Sequence, residues 1–321
     1  MKQTILFGNG INRVCNEEFE WSNVLEEIRG VSFTFQDSVP YTFQYEDILI
    51  SKSSVGDFSS NEQTIKQRVI KYLNARQTAG NGEIYEQLFS IPADYFLTTN
   101  YDLAYQIALQ NNGFSLRDSN NNELAYSMRR WSKWVDQEKR RQLQIWQIHG
   151  TINAKDSIML GFDHYSGNIS RLYNYLNNGA YTRVEPGKVN EDLKHYKESK
   201  SKLPYILYRI SHLLDKIQLI YWADTFFMSD VHIIGNALSF AEIDLWWILN
   251  KRMRLMKNHK GIIKNMIYYY GYTEESIKHM LASYGVDVSY CTTTEPQKDD
   301  WEQFYVANIE QINNNVRKNK Q

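Results

Sequence analysis

Short apolar runs that break off at glycine, threonine or histidine recur along this chain, with stretches of helical character between them. Residues 4–7, 95–98, 145–148, 157–160 and 231–234 are each close to continuously apolar over about the length of a strand. A strand that is apolar at every position has neither face in water, which is the condition of a parallel sheet covered by helices on both sides. Residues 266–270 and 286–290 extend the set. Helical stretches at 101–110, 241–256 and 273–284 fall between these runs, and Gly285 stops the last of them. The expected fold is therefore α/β, a Rossmann-like parallel sheet with helices on both faces.

At 321 residues the chain has room for two domains, or for one with a substantial insertion. Two regions interrupt the strand–helix rhythm and read as helical insertions forming a smaller subdomain. Residues 31–90 hold an extended aromatic stretch (Phe33, Phe35, Tyr41, Phe43, Tyr45) and then a helix over 62–76. Residues 165–222 hold turn signals at Asn177-Asn178-Gly179 and Pro186-Gly187, then a long helix over 203–222. The expected division is a domain over 1–290 and a helical tail over 291–321, whose polar end from Asn308 reads as a frayed helix terminus.

The net charge of −1 gives no basic excess of the kind that binds nucleic acid directly. Lys139-Arg140-Arg141 and the Lys251, Arg252, Arg254, Lys257 series read as solvated faces, and Trp246-Trp247 and Tyr268-Tyr269-Tyr270 as packed core or subunit contact. The two cysteines, Cys15 and Cys291, can build neither a disulfide framework nor a structural zinc site, and His164 and His232 lack ligand company, so no metal is assigned. No stretch approaches the roughly 20 apolar residues that cross a bilayer. A reduced cytoplasmic setting is expected.

Four segments carry chemistry, each at the carboxyl end of an expected parallel strand, where open α/β sheets bind their ligands. Gly8-Asn9-Gly10-Ile11-Asn12 follows the first strand; glycines there let backbone approach a pyrophosphate, or simply make a tight turn. Arg13 stands where a third glycine would complete the dinucleotide fingerprint. Thr98-Thr99-Asn100-Tyr101-Asp102 gathers small polar groups and a carboxylate, and Asn100 or Asp102 could equally cap a helix. His149-Gly150 puts an acid/base group on a strand end beside a residue that leaves space. Gly235-Asn236-Ala237-Leu238-Ser239, with Asp244 beyond, could wall the far side of a nucleotide pocket, or Ser239 could be a plain N-cap.

In order and content these segments resemble the sirtuin-like (SIR2) superfamily, whose pattern runs Gly-Ala-Gly-x-Ser, Thr-Gln-Asn-x-Asp, His-Gly, Gly-x-Ser. Gly8, Gly10, Asn100, Asp102, His149, Gly150, Gly235 and Ser239 match it; Asn9, Thr99 and Asn12 replace alanine, glutamine and serine. Protein-deacylating sirtuins carry a four-cysteine zinc module that this chain cannot build. The Thr-Thr-Asn-Tyr-Asp form, Asp163-His164-Tyr165 and the Gly-Asn-Ala-Leu-Ser ending with Asp244 are more similar to the bacterial SIR2-like proteins of anti-phage defence.

That resemblance implies NAD as substrate, cleaved to nicotinamide and ADP-ribose, with NAD depletion arresting an infected cell. It implies catalytic roles for Asn100, which would orient a water or hydroxyl, for His149, on the ribose hydroxyls or as general base, and for Asp102, as an orienting group. Gly8, Asn9, Gly10 and Asn12 would take the pyrophosphate side, Thr98 and Thr99 the same pocket, and Gly235, Asn236, Ser239 and Asp244 the adenosine side. A toxic activity must be restrained, so a homo-oligomer or a separate regulatory partner such as an ATPase is expected. The alternative is a non-catalytic subunit of a defence complex that senses NAD or a related nucleotide.

Overall fold

The computed structural model describes residues 1–15, 19–30, 39–76, 82–120, 128–136, 138, 141–180, 191–213, 219–271, 275–290 and 298–320. Eight strands form one sheet among them: β1 (Lys2–Phe7), β2 (Tyr95–Thr98), β3 (Phe114–Asn120), β4 (Trp131–Asp136), β5 (Arg141–Gln147), β6 (Ser229–Ile234), β7 (Ile267–Gly271) and β8 (Val286–Tyr290). Their order is β3-β4-β5-β2-β1-β6-β7-β8. All neighbours from β5 across to β8 are parallel, while β3, β4 and β5 pair antiparallel. From β1 the chain places β2 beside it, crosses to the outer edge at β3 and comes back inward through β4 to β5, then returns to place β6 on the other side of β1. That reversal opens a crevice beyond the carboxyl ends of β1 and β6.

The parallel strands are covered on both sides, as their unbroken apolar character requires. Ile5, Phe7, Phe96, Ile145 and Ile234 pack into one buried cluster; their alternate neighbours Leu6, Leu97, Trp146 and Ile233 pack into another. Helices Asn9–Cys15, Glu83–Ser90, Ala104–Asn111 and Lys298–Lys320 contribute to the first layer. Phe162–Asn178, Tyr205–Leu213, Thr225–Met228, Ile243–Asn258 and Glu275–Ser283 contribute to the second. A third cluster joins helices Trp21–Arg29, Tyr41–Lys52 and Phe58–Ala75 into a small helical unit that also takes in Tyr101, Ile158 and Leu160.

The antiparallel extension was not foreseen. β4 alternates half-buried and buried positions, and β3 is exposed over most of its length. Neither shows the continuous apolar run that marks a doubly covered strand. The polar outer strand, with a register shift between Leu116 and Asp118, also makes an edge poorly suited to further pairing.

Four expectations are corrected. Residues 157–160 form no strand: after one 3-10 turn (Lys155–Ser157) they run as an extended strap. Its apolar residues are buried, yet no strand edge is open to it, because β5 already has β2 and β4 as neighbours. The alternating aromatics at 41–45 lie in a helix, where Thr42, Tyr45 and Ile48 face inward at helical spacing and Phe43 is exposed. The expected helix over 203–222 is helical only at Tyr205–Leu213 before a 3-10 turn at Trp222–Asp224, with 214–218 outside the described residues. The C-terminal end is not frayed. Tyr305, Ile309, Ile312 and Val316 form a buried stripe at spacings of one helical turn, hidden in the sequence by the polar residues between them.

Arg252 departs from the solvated face assigned to its run: it is buried and its Nη2 donates to the Asn265 carbonyl. Trp246, Tyr269 and Tyr270 are core residues. Lys139, Arg140, Phe33, Phe35, Pro186, Gly187 and Cys291 lie outside the described residues. No helix among the described residues is long and apolar enough to cross a membrane.

His232 on β6 is a structural histidine. Its Nε2 lies 3.0 Å from Gln3 Oε1 and its Nδ1 lies 3.1 Å from the Tyr270 hydroxyl, so a neutral ring with hydrogen on Nε2 satisfies both. Burial pushes its pKa from 6.5 down to about 4. The unfolded chain therefore takes up the proton first. This group's share of stability is lost as pH falls from about 6.5 to about 4, roughly 3 kcal/mol in all. Denaturant titrations between pH 7 and 4 should show that loss, and a shallower one in His232→Gln.

Candidate active site

The loops leaving β1 and β6 are packed backbone to backbone. Gly8 N donates to Ile234 O (3.2 Å) and Gly10 N to Gly235 O (2.6 Å). A Cβ on Gly10 would stand 2.8 Å from Gly235 O and 2.6 Å from the Tyr305 hydroxyl. Loop-to-loop contact alone therefore requires glycine here, and the Gly10 amide expected to face a phosphate is already engaged. Alanine at Gly10 must force the two loops apart, costing about 1–3 kcal/mol. The expected result for Gly10→Ala is a lowered melting temperature with weakened nucleotide binding.

The loop after β2 is held from several directions. Thr98 Oγ1 accepts the Asn100 amide (3.1 Å), and Thr99 Oγ1 accepts Asn236 Nδ2 (3.2 Å) across the crevice. Asp102 accepts the Ala104 amide (2.9 Å) and Asn12 Nδ2 (2.6 Å), while Asn12 Oδ1 accepts the Tyr85 hydroxyl. Burial raises the Asp102 pKa against these hydrogen bonds. Asp102 and Asn12 are thus mutual partners that lock the first two loops together. Asn9 Nδ2 is spent on the Phe19 carbonyl.

Asn100 is the exception. It is only 5% exposed, yet neither Nδ2 nor Oδ1 of its side chain has a hydrogen-bond partner. An unpaired buried amide costs about 1–3 kcal/mol for each group, so such an arrangement persists where a ligand or water completes it. Asn100 lines a cavity of about 1110 Å³ that also reaches His149, Thr99, Asp102, Gly235, Asn236 and Ser239. Asn9 and Gly10 line it too, whereas Gly8, Asn12, Thr98 and Asp244 are not on its wall.

His149 follows β5 and is 2% exposed. Its Nε2 sits between both oxygens of Asp244, at 3.2 and 3.1 Å. Burial opposes the imidazolium, but the Asp244 charge and hydrogen bond outweigh it, with Glu242 adding to them, and the pKa is raised. Asp244 is fully buried and also accepts Asn168 Nδ2 (2.8 Å). The pairing leaves Nδ1 as the ring nitrogen outside it, a tautomer suited to accept a proton. Asp244, expected on the adenosine side, is instead the partner that orients His149. The Tyr165 ring meets the imidazole edge-on at 5.4 Å.

Gly150 makes the turn after His149 possible. Its φ is +102°, and a Cβ would lie 2.1 Å from Ser157 O. The strap then returns under the site: Met159 N donates to His149 O (3.1 Å), and the Tyr101 hydroxyl donates to Met159 O. The Gly150→Ala chain should lose about 2–4 kcal/mol from strain and overlap combined. Chemical denaturation measures it.

Two roles escaped the sequence reading. His164 Nδ1 accepts the amides of Leu160 and Gly161 (3.2 and 3.0 Å), which leaves hydrogen on Nε2 for Glu62 at 2.6 Å. It fastens the strap to the helical unit. Glu242 is a half-buried carboxyl on the cavity wall. A glutamate at the start of a helix is ordinarily read as a complement to the helix dipole; its nearness to Asp244 in sequence was the only available sign. Among the described residues no group of histidine, cysteine, aspartate and glutamate could hold a metal ion.

A mostly parallel sheet with helices on both faces, and a polar cavity at the point where its strand order reverses, defines a Rossmann-like α/β protein. Residues 94–186 match the family model of the SIR2-like domain, which supports a SIR2-like superfamily member. No curated protein matches the chain. The matched segment runs from just before β2 to beyond helix Phe162–Asn178 and includes Asn100, Asp102 and His149. A SIR2-like domain implies NAD binding.

Proposed function

We propose that the protein is an NAD hydrolase that cleaves the nicotinamide–ribose bond to give nicotinamide and ADP-ribose. The observation that carries this reading is the unpartnered amide of Asn100 on the wall of a cavity shared with the Asp244-oriented His149. An amide with both ends free can take a water through its oxygen and a ribose oxygen through its nitrogen. His149, with Asp244 on Nε2, can accept the proton released as that water attacks. The leaving nicotinamide departs from a cation, so it needs no strong acid; positioning and exclusion of water remain the protein's task. Asp102, Asn12, Thr98 and Thr99 hold the loops in place.

The role proposed for this activity is anti-phage abortive infection by NAD depletion in the cytoplasm, restrained by self-assembly or by a partner protein such as an ATPase. The resemblance of the Thr98–Asp102 and Gly235–Asp244 segments to bacterial defence proteins supports it. Purified protein incubated with NAD, with products separated by chromatography, tests the chemistry. Nicotinamide and ADP-ribose should form with the wild type and disappear with Asn100→Ala and His149→Ala. NAD binding without turnover in any assembly state would favour a sensing subunit, and absence of NAD binding would overturn the reading.

A further inference from the structure

Glu242 has a side chain that neither the hydrolysis scheme nor helix capping uses. It occupies the N-cap position of helix Ile243–Asn258 without capping it through its side chain. The carboxyl turns to the cavity instead, where Asn236 Nδ2 donates to Oε1 (2.9 Å) and the Ser239 backbone gives a further hydrogen bond. Asn236 is itself pinned, donating to Thr99 Oγ1 (3.2 Å) and accepting the Leu238 amide (2.7 Å). The loop that makes this turn holds Leu238 at φ +46°, a backbone conformation that side-chain-bearing residues seldom adopt. Such strain persists where the surroundings enforce it, and it gathers at functional sites.

The groups that face Glu242 are His149 beyond β5, Asp244 on its own helix, Tyr101 and Tyr165 from the strap side, and Tyr269 on β7. Burial raises its pKa, the neighbouring Asp244 adds to this, and His149 and Asn236 work against it. A half-buried carboxyl in that company has acceptor capacity left over, because a carboxylate offers about four acceptor sites. It stands on the same cavity as Asn100 and His149.

From this placement we propose that Glu242 accepts a hydrogen bond from the vicinal diol of the ribose that bears the leaving base. The site thus recognises nucleotides with an intact ribose diol at that position. The proposal rests on the NAD-cleavage reading. It gives Glu242 a ribose-binding role that complements His149: a charged acceptor on a ribose hydroxyl tightens as positive charge develops on the ring, so its effect falls on turnover more than on KM.

The test compares NAD with its 2′-deoxy and 3′-deoxy nicotinamide-ribose analogues on the wild type, Glu242→Gln and Glu242→Asp. Glutamine keeps an oxygen for Asn236 but removes the charge. For the wild type, deleting the contacted hydroxyl should cost about 10- to 100-fold more in kcat/KM than it costs Glu242→Gln. The intrinsic reactivity of each analogue cancels in that ratio. Glu242→Asp should retain part of the preference, and it serves in place of the glutamine variant should that chain not fold. If wild type and variant show the same ratio for both analogues, the proposal is overturned while NAD cleavage stands. If the wild type binds neither NAD nor ADP-ribose, the site reading fails and this proposal fails with it.

Discussion

Replacing Asp244 by asparagine is expected to slow NAD cleavage by about 10²- to 10⁴-fold, the usual worth of a positioned acid/base group. Asp244 accepts from His149 Nε2, from Asn168 Nδ2 and from the Leu245 amide. An asparagine has one acceptor oxygen for these donors and turns an NH2 group towards one of them. His149 then loses both the fixed tautomer and the charge that raises its pKa. The sign of the pH effect follows. If neutral His149 is the active form, the rate rises with pH through its pKa, and removing the Asp244 charge moves that limb to lower pH. Steady-state rates across pH for both proteins read the shift. An unchanged limb with a merely lower plateau would mean that Asp244 supports packing and not the ionisation of His149.

The second large effect is on stability. Asp224→Ala is expected to cost about 3–5 kcal/mol, the range found when one partner of a buried ion pair is removed. Arg209 and Asp224 are both fully buried, 2.9 Å apart. The same carboxylate accepts the Tyr175 hydroxyl (2.6 Å) and the amides of Ile220 (2.7 Å) and Tyr221 (3.3 Å). Alanine takes the nearer carboxylate from a guanidinium held in the apolar layer formed by Leu172, Tyr205, Tyr221 and Phe226, and leaves it the Tyr175 hydroxyl and the more distant Asp192 carboxylate at 3.5 Å. The double variant Arg209→Met/Asp224→Leu should recover much of the loss, since two apolar groups leave no charge to solvate. Urea denaturation of the single and double variants decides it. Additive losses would show that the carboxylate's backbone hydrogen bonds, and not the charge pair, dominate.

The parts of the molecule that could be read from the chain share one physical property: their signal is local. A strand covered on both faces must be apolar over nearly its whole length, so β1, β2, β6 and β7 stood out, and strand ends in such sheets are where polar ligand-binding residues gather. That rule brought Asn100, His149, Gly10, Asn236 and Ser239 to one cavity from segments far apart in sequence. The strap at 157–160 carried the same local signal and still formed no strand, because ladder pairing depends on an open neighbour, and β2 and β4 had already taken both sides of β5.

The roles within the site were of the other kind. Asp244 was placed on the adenosine side by its motif; in the folded chain its position in the first turn of helix Ile243–Asn258 makes it the partner of His149 instead. Glycines at 8, 10 and 235 matched a phosphate-binding pattern, yet what excludes a Cβ there is the contact between the two loops. Glu242 had no pattern of its own, because a side chain turned back into a cavity depends on the backbone turn at Leu238 and on Asn236, which Thr99 pins from across the crevice. Residue type and periodicity determined the sheet, its covered faces and the ends where polar groups collect. Only the tertiary structure decided which of those groups pair with one another and which, as at Asn100, are left with hydrogen bonds for a ligand to complete, since that depends on distances between segments that no local pattern encodes.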